Sequence, residues 1–371
     1  MSARIVIFGA TGYTGRLVAE RLVAQGERPV LAGRSETRGR ELAERLGGLE
    51  WARADALRQN SVFELVEAGD VLLSTVGPFA KWGDPAVRAA IAAGATYLDS
   101  TGEPAFIRRV FSELGRPAAD AGAALLTAMG YDYVPGALAG ALALEEAGPG
   151  AVRVDVAYYS LGANPAALSD GTRESLVGVT LADHHAFRDG RVRPVRVAER
   201  VRSFAVAGRE RAAVSVGGAE HFTLPPAYPG LGEVNVYIGW FGPLARPLQA
   251  GSLMGEYVQR LPGARSLMQF AGERLVEFVP GPAAGTTPGG VSFVAAEAYS
   301  AAGERLASVR LSGADGYDFT ASFLAWACRR AAGEGVDGTG ALGPVQAFGL
   351  PALEDGVRAA GIERVREAAA A

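Results

Sequence analysis

Residues Arg4 to Arg16, reading RIVIFGATGYTGR, constrain this chain more than any other stretch, because an apolar strand, a glycine turn and a helix start follow one another without a break. Ile5-Val-Ile-Phe8 has the composition of a strand buried on both faces. Gly9 can leave that strand at a positive φ, Gly12 lets backbone approach an anion with no Cβ between, and Gly15 lets the helix lie close to the sheet. The amphipathic run Leu17-Val-Ala-Glu-Arg-Leu-Val23 carries the helix on. N–H groups at such a helix start lack partners within the helix and face an anion placed before it. The spacing predicts a dinucleotide pyrophosphate site built from Gly9, Thr11, Gly12, Tyr13, Thr14 and Gly15.

The next strand selects the dinucleotide. Pro29-Val-Leu-Ala32 ends in Gly33-Arg34-Ser35, where a site for NAD would place an acid on the ribose hydroxyls. Arg34 offers a planar cation for a 2′-phosphate instead, with Ser35, Thr37 and Arg38 as further donors. NADP is the expected cofactor. Asp55, after a third strand near Leu49 to Arg53, is placed to accept from an adenine amine.

Strand and helix signals alternate through the first third: helices near 37–46, 59–67, 85–93 and 105–121, and strands at 71–76, 96–99 and 124–127. Such alternation predicts an α/β fold, a Rossmann doubly wound parallel sheet with helices on both faces and ligands at the carboxyl ends of the strands. Three polar clusters fall at those ends. Ser74, Thr75, Val76, Gly77, Pro78 and Phe79 are expected at the cofactor, with Lys81 just beyond. Asp99 to Glu103 forms the second cluster, with Asp99 counted toward the cofactor, and Gly130 to Gly136 forms the third.

From Ala151 the period changes to two, in runs at 152–158, 202–207, 212–216 and 233–240, with a hairpin at 291–299 and 305–311. A helical stretch near 248–275 and a loop at 280–290 separate them, giving a second, α+β domain whose sheet is largely antiparallel. Phe319, Phe323, Trp326 and Arg330 mark one face of a later helix. The stretch Leu224 to Leu231 reads as loop or apolar cleft material. With 371 residues and 49% hydrophobic content the chain can fill about two cores.

A net charge of -4 gives no electrostatic footprint for nucleic acid. No apolar run is long enough to span a bilayer and no signal peptide is visible, so the cytoplasm is the expected compartment. The single cysteine, Cys328, lies in an apolar helical pattern and is expected to be buried and inert. His184 and His185 precede the turn signal Phe-Arg-Asp-Gly190 and are expected at the surface, while His221 stands isolated. No metal-ligand spacing occurs, and no metal is expected. Lys81 is the only lysine, and residue 77 is Gly, so the Tyr and Lys four apart that short-chain dehydrogenases use are absent.

Taken in order, GATGYTG, LAGRS, STVGPF with KWGDPAV, YLDSTGE and GYDYVPG resemble the saccharopine dehydrogenase-like oxidoreductases, including their bacterial trans-acting enoyl reductase branch. The resemblance is densest over 4–145 and returns over 315–362. It implies an NADP-binding domain over 1–148, an inserted substrate and dimerisation domain over 149–315, and a helical segment over 316–371 that returns to the first domain. A homodimer through the inserted sheet and a small-molecule substrate are implied with it. Family members reduce an activated C=C bond of lipid or polyketide intermediates, or make or cleave a secondary amine through an imine. Lys81, Tyr131 and Tyr133 are the expected catalytic donors, and Glu103, Asp132, Thr172 and Arg173 the expected substrate contacts. A saccharopine-type amino-acid dehydrogenase and a non-catalytic NADP sensor or scaffold are the alternative readings.

Overall fold

The computed structural model describes residues 3–162, 184–258 and 289–365. The chain forms two compact units, one made of Met1–Gly102, Phe106–Val134 and Gly316–Gly361, the other of Glu103–Ala105, Pro135–Asp315 and Ile362–Ala371.

In the first unit, β1 (Ile5–Phe8), β2 (Val30–Gly33), β3 (Trp51–Arg53), β4 (Val71–Ser74), β5 (Thr96–Asp99) and β6 (Ala124–Leu126) join the two-residue strand Gly340–Ala341 in a seven-stranded sheet. Every pairing is parallel, in the order β3-β2-β1-β4-β5-β6 with Gly340–Ala341 outside β6. The order reverses between β1 and β4, so the crevice for a ligand opens beyond their carboxyl ends. All four residues of β1, β2 and β4 are buried, as strands covered by helices on both faces require. The expected helix over 105–121 is interrupted, with a π-helical turn at Val110–Leu114 between Pro104–Arg109 and Gly115–Asp120.

The helix Gly316–Gly333 closes one face of this unit. Its Phe319 and Phe323 rings stack at 5.7 Å, Trp326 follows at 5.2 Å, and Phe348 meets Trp326 edge-on at 5.0 Å. Cys328 is fully buried there, and burial pushes its thiol up to about 12. At the opposite edge of β1 and β4, the Asp70 carboxylate accepts from the Arg4 side chain and from the Arg4 and Glu67 backbone N–H groups, holding the strand starts together.

The second unit carries a nine-stranded sheet. Its strands are β7 (Arg153–Leu161), β8 (His184–Arg188), β9 (Arg191–Val195), β10 (Val201–Val206), β11 (Arg209–Val216), β12 (Glu233–Ile238), β13 (Val291–Tyr299), β14 (Arg305–Gly313) and Ile362–Arg364. The path runs β10-β11-β12-β7-β13-β14 and ends on Ile362–Arg364, with β8 paired to β12 and to β9. It is mostly antiparallel, as the period-two runs require, but β7 and β12 pair in parallel. Across one face Arg202 bonds Asp155, Glu297 and Tyr299, Arg310 reaches Glu297 at 2.7 Å, and Asn235 donates to Asp155 at 2.7 Å. Burial acts to raise the Glu297 carboxyl, but the Tyr299 and Arg310 donors outweigh it and hold the group below the usual range. A depression of about 410 Å³ opens beside Arg153, Arg200 and Arg202. These guanidiniums already face carboxylates of the same sheet.

The histidines overturn two expectations. His184 and His185 are completely buried rather than superficial. The Asp189-Gly190 turn is present, with both residues at positive φ, but it forms the tip of the β8–β9 hairpin and the histidines lie back along the strand. His184 Nδ1 accepts from the Gly217 N–H at 2.9 Å. His221 is not isolated either, since its ring stands edge-on to His185 at 5.2 Å. Leu224 to Ala227 ends the helix Glu220–Ala227 rather than forming a loop, despite Pro225 and Pro226 in its last turn.

Candidate functional site

The glycine turn is built as its spacing requires. Gly9 has φ +95°, and a Cβ there would stand 2.7 Å from Thr75 Oγ1. The Gly12 N–H donates to the Gly9 carbonyl at 2.9 Å, closing the turn. A Cβ at Gly15 would come within 2.4 Å of that same carbonyl, so the helix Tyr13–Ala24 rests directly on the turn. Gly12 is the helix N-cap; it has no side-chain cap, and the first turn holds no acid. The N–H donors and positive end of the helix are thus left for an external anion. Gly12 itself is exposed and leaves the approach clear. Thr11, Tyr13 and Thr14 are half-buried around the turn, and the Tyr13 ring meets Tyr317 edge-on at 5.1 Å.

At the end of β2, Arg34 is exposed, and the Ser35 hydroxyl accepts from Arg38 Nε at 3.2 Å. Asp55 Oδ1 accepts the Leu57 N–H at 3.0 Å, shaping the turn after β3. Beyond β4 the Thr75 hydroxyl donates to the Gly9 carbonyl at 3.2 Å, tying the second strand end to the glycine turn. Ser74 is buried and Val76 half-buried. The Gly77–Pro78 peptide is cis, and Phe79 packs against Phe106 at 5.7 Å. Lys81 follows on the short helix Phe79–Trp82, exposed, with its ammonium 4.7 Å from the Trp82 ring centre.

Asp99 is fully buried at the end of β5. Its carboxylate accepts from the Thr101 N–H at 2.9 Å, the Ala128 N–H at 2.8 Å and the Thr127 hydroxyl at 2.7 Å. Burial raises its pKa to about 6 in spite of those donors. Asp99 therefore braces the loops after β5 and β6 against each other.

The loop after β6 carries Tyr131, Asp132 and Tyr133, with a cis peptide between the last two. Both tyrosines are buried: the Tyr131 ring packs on Phe319 at 6.3 Å, and the Tyr133 hydroxyl lies 3.5 Å from the Gly102 carbonyl. The Tyr131 N–H donates to the Thr320 hydroxyl at 2.9 Å. Asp132 differs from Asp99, because its Oδ1 is buried with no hydrogen-bond partner and burial alone raises its pKa to about 6. Asp132 Oδ2 would be 3.6 Å from a Cβ at Gly102, so the second and third polar clusters meet.

The first unit thus assembles the glycine turn, the β4 loop and the Asp99 and Asp132 loops at one edge of its sheet. Glu103 is buried and groups with the second unit, and Thr172 and Arg173 lie outside the described residues. Thr320 and Tyr317 had no local signal, since they reach this edge from nearly two hundred residues or more along the chain. Glu36, Trp51 and Arg53, beside Arg34, were visible as residues but not as neighbours. Among the described residues no group of three His, Cys, Asp or Glu is placed to hold a metal, and no helix is long and apolar enough to cross a membrane.

A parallel sheet in this order, with an uncapped helix start on a glycine turn at its switch point, defines a dinucleotide-binding α/β domain. The family model "Saccharopine dehydrogenase NADP binding domain" matches residues 5–126 and identifies that region as such a domain, with NADP as its cofactor. The residues present fit this group: a cradle that a Cβ would fill, donors for the pyrophosphate and exposed guanidiniums for a 2′-phosphate. A Mycobacterium tuberculosis protein named provisionally as a trans-acting enoyl reductase is 41% identical over 137 residues, 35% of this chain and 33% of that one. A Mycobacterium ulcerans protein named trans-acting enoyl reductase is 39% identical over 137 residues, with the same shares. The matched part of the chain thus spans about a third of the length of these curated relatives. Apo histidine-tagged saccharopine dehydrogenase (L-Glu forming) from Saccharomyces cerevisiae shares the fold, with a TM-score of 0.60 at 13% identity over 98% of this chain and 100% of that one.

Proposed function

We propose that the chain is an NADPH-dependent oxidoreductase that reduces an activated C=C bond of an enoyl substrate. The names of its mycobacterial relatives support that chemistry. The observation that carries it is Asp132, a half-buried side chain whose Oδ1 is buried without a partner at the same sheet edge as the phosphate cradle.

The helix start at Tyr13 holds the pyrophosphate, and the cluster at Arg34, Ser35 and Arg38 holds the adenosine phosphate. Bound there, NADPH supplies a hydride from its nicotinamide. Reduction of an enoyl group places hydride on the β-carbon and then needs a proton on the α-carbon. Asp132 exchanges its proton near neutrality and has no cation recorded beside it, so it suits that donation. An iminium is positive before hydride arrives and calls for a fixed carboxylate. The two aspartates of this edge, Asp99 and Asp132, are both pushed toward their neutral forms, which favours the enoyl reading. Lys81, Tyr131 and Tyr133 remain the candidate donors to the substrate carbonyl, with Lys81 the exposed one of the three.

Transfer from 4-deuterated NADPH to a panel of enoyl thioesters and cyclic imines tests this. Deuterium at the β-carbon of a saturated thioester is expected. Label in the amines alone would move the protein to imine chemistry, and bound NADPH with no transfer to any acceptor would leave a binding module.

A further inference from the structure

Around the end of β2 the structure contains an acid that cofactor choice must contend with. Glu36 opens the helix Glu36–Arg45 two residues after Arg34 and is the acid of its first turn. A free carboxylate there would repel a 2′-phosphate and compete for the guanidiniums meant to bind it. Its two oxygens are instead taken, Oε2 by the Trp51 indole N–H at 3.2 Å and Oε1 by Arg40 Nε at 2.7 Å. These donors, Trp51 first and Arg40 next, hold the Glu36 carboxyl below the usual range.

Trp51 reaches Glu36 because two glycines make room for it. An added Cβ at Gly39, on the same helix as Glu36, would stand 2.2 Å from the indole, and one at Gly33 would stand 3.2 Å from it. Two residues along β3 from Trp51 is Arg53, which lies directly across from Gly33 in the β2–β3 pairing. Arg53 is exposed and close enough to Glu36 to act on it through space. No hydrogen bond or ion pair to another described residue is recorded for either Arg34 or Arg53.

We propose that Trp51 is a positioning residue for cofactor choice: by occupying Glu36 with its indole N–H it leaves Arg34, Arg38 and Arg53 to a 2′-phosphate, with Arg53 as an additional ligand of that phosphate. The strand pairing puts Arg53 beside the residue that precedes Arg34, and the Trp51–Glu36 bond takes up a carboxylate oxygen that would otherwise be open to those guanidiniums. The inference rests on the NADP-binding domain and not on the enoyl reading, so either can fail without the other.

Calorimetric titration of the full chain with NADPH and, separately, NADH tests it, with circular dichroism melting as the check on folding. Trp51→Phe keeps a ring but loses the N–H; it is expected to weaken NADPH binding about tenfold with NADH unchanged, the scale of one charged hydrogen bond. Adding Glu36→Gln to that variant should restore NADPH affinity, because the freed group then carries no charge. Arg53→Ala, at an exposed position, should weaken NADPH about tenfold and spare NADH. Arg40→Ala removes the other partner of Glu36 without touching the core, and should shift preference the same way as Trp51→Phe. Equal losses for both dinucleotides in Trp51→Phe, no rescue by Glu36→Gln, or unchanged NADPH affinity in Arg53→Ala would overturn the proposal.

Discussion

Asp132 is the side chain through which pH acts most directly on the proposed chemistry. If it delivers the proton, turnover should fall as pH rises through about 6, where the carboxyl loses that proton. Asp132→Asn should be at least about tenfold slower, in keeping with general-acid contributions, and its rate should be flat across that range. The same substitution should have the opposite effect on stability. A pKa raised above the ordinary 3.8 means that the folded protein binds the proton more tightly, so ionised Asp132 costs stability at neutral pH. Asn should therefore raise the melting midpoint at pH 8, and the gain should shrink as pH falls below 6. A variant slowed equally at every pH, with no gain in midpoint, would show that Asp132 only shapes the loop. Asp132 was legible in the sequence as a polar residue at a strand end, but its missing partner was not. The same limit applies to Glu36, whose hydrogen-bond donor Trp51 stands fifteen positions away on the next strand. The surface reading of His184 and His185 failed because a turn signal fixes the tip of a hairpin and says nothing about which sheet covers its arms.

At the scale of elements, the parallel sheet was readable because each strand has its own apolar run and each helix its own period. Gly340–Ala341 is too short to have a period, and joins β6 only because the returning chain brings it there. The parallel pairing of β7 with β12 was likewise hidden, since alternation reports which face is buried and not which neighbour is adjacent. Within the returning tail, one helix seam can be tested. A Cβ at Gly356 would lie 2.7 Å from the Trp326 indole, so the helix Leu350–Ala359 meets Gly316–Gly333 at a glycine. Alanine has a helix propensity better by about 1 kcal/mol, but overpacking a core typically costs about 1–3 kcal/mol. Gly356→Ala should lower the urea midpoint, and Trp326→Leu in the same chain should recover part of the loss. A more stable single variant would show that the indole yields at no cost and that the seam does not depend on the glycine.

Across the whole molecule, the two units are set to respond to acid in opposite directions. In the first, burial raises both Asp99 and Asp132 from 3.8 to about 6. Between those values the folded state binds more protons than the unfolded chain, so this unit gains stability as pH falls from 6 toward 4. In the second, burial first and the neighbouring His185 next push His221 well below its ordinary 6.5. There the unfolded chain binds the extra proton, and stability present above 6.5 is lost as pH falls toward the folded value. Glu233 and Glu297, both held below 4.5, extend that loss at still lower pH, where protonation of the two carboxylates ends their contacts with Arg200 and with Tyr299 and Arg310. Hydrogen exchange separates these effects within the intact chain because it reports opening segment by segment. From pH 7 to pH 5, after correction for intrinsic rates, protection should rise in β5, β6 and the loops holding Asp99 and Asp132. It should fall in β8, β12 and the helix Glu220–Ala227 around the histidines. His221→Leu should shrink the acid loss of the second unit between pH 7 and pH 5 while leaving the gain in the first unchanged. Parallel changes in both units would mean that they open as one, and that the stability of each cannot be set by its own buried carboxyls and imidazoles.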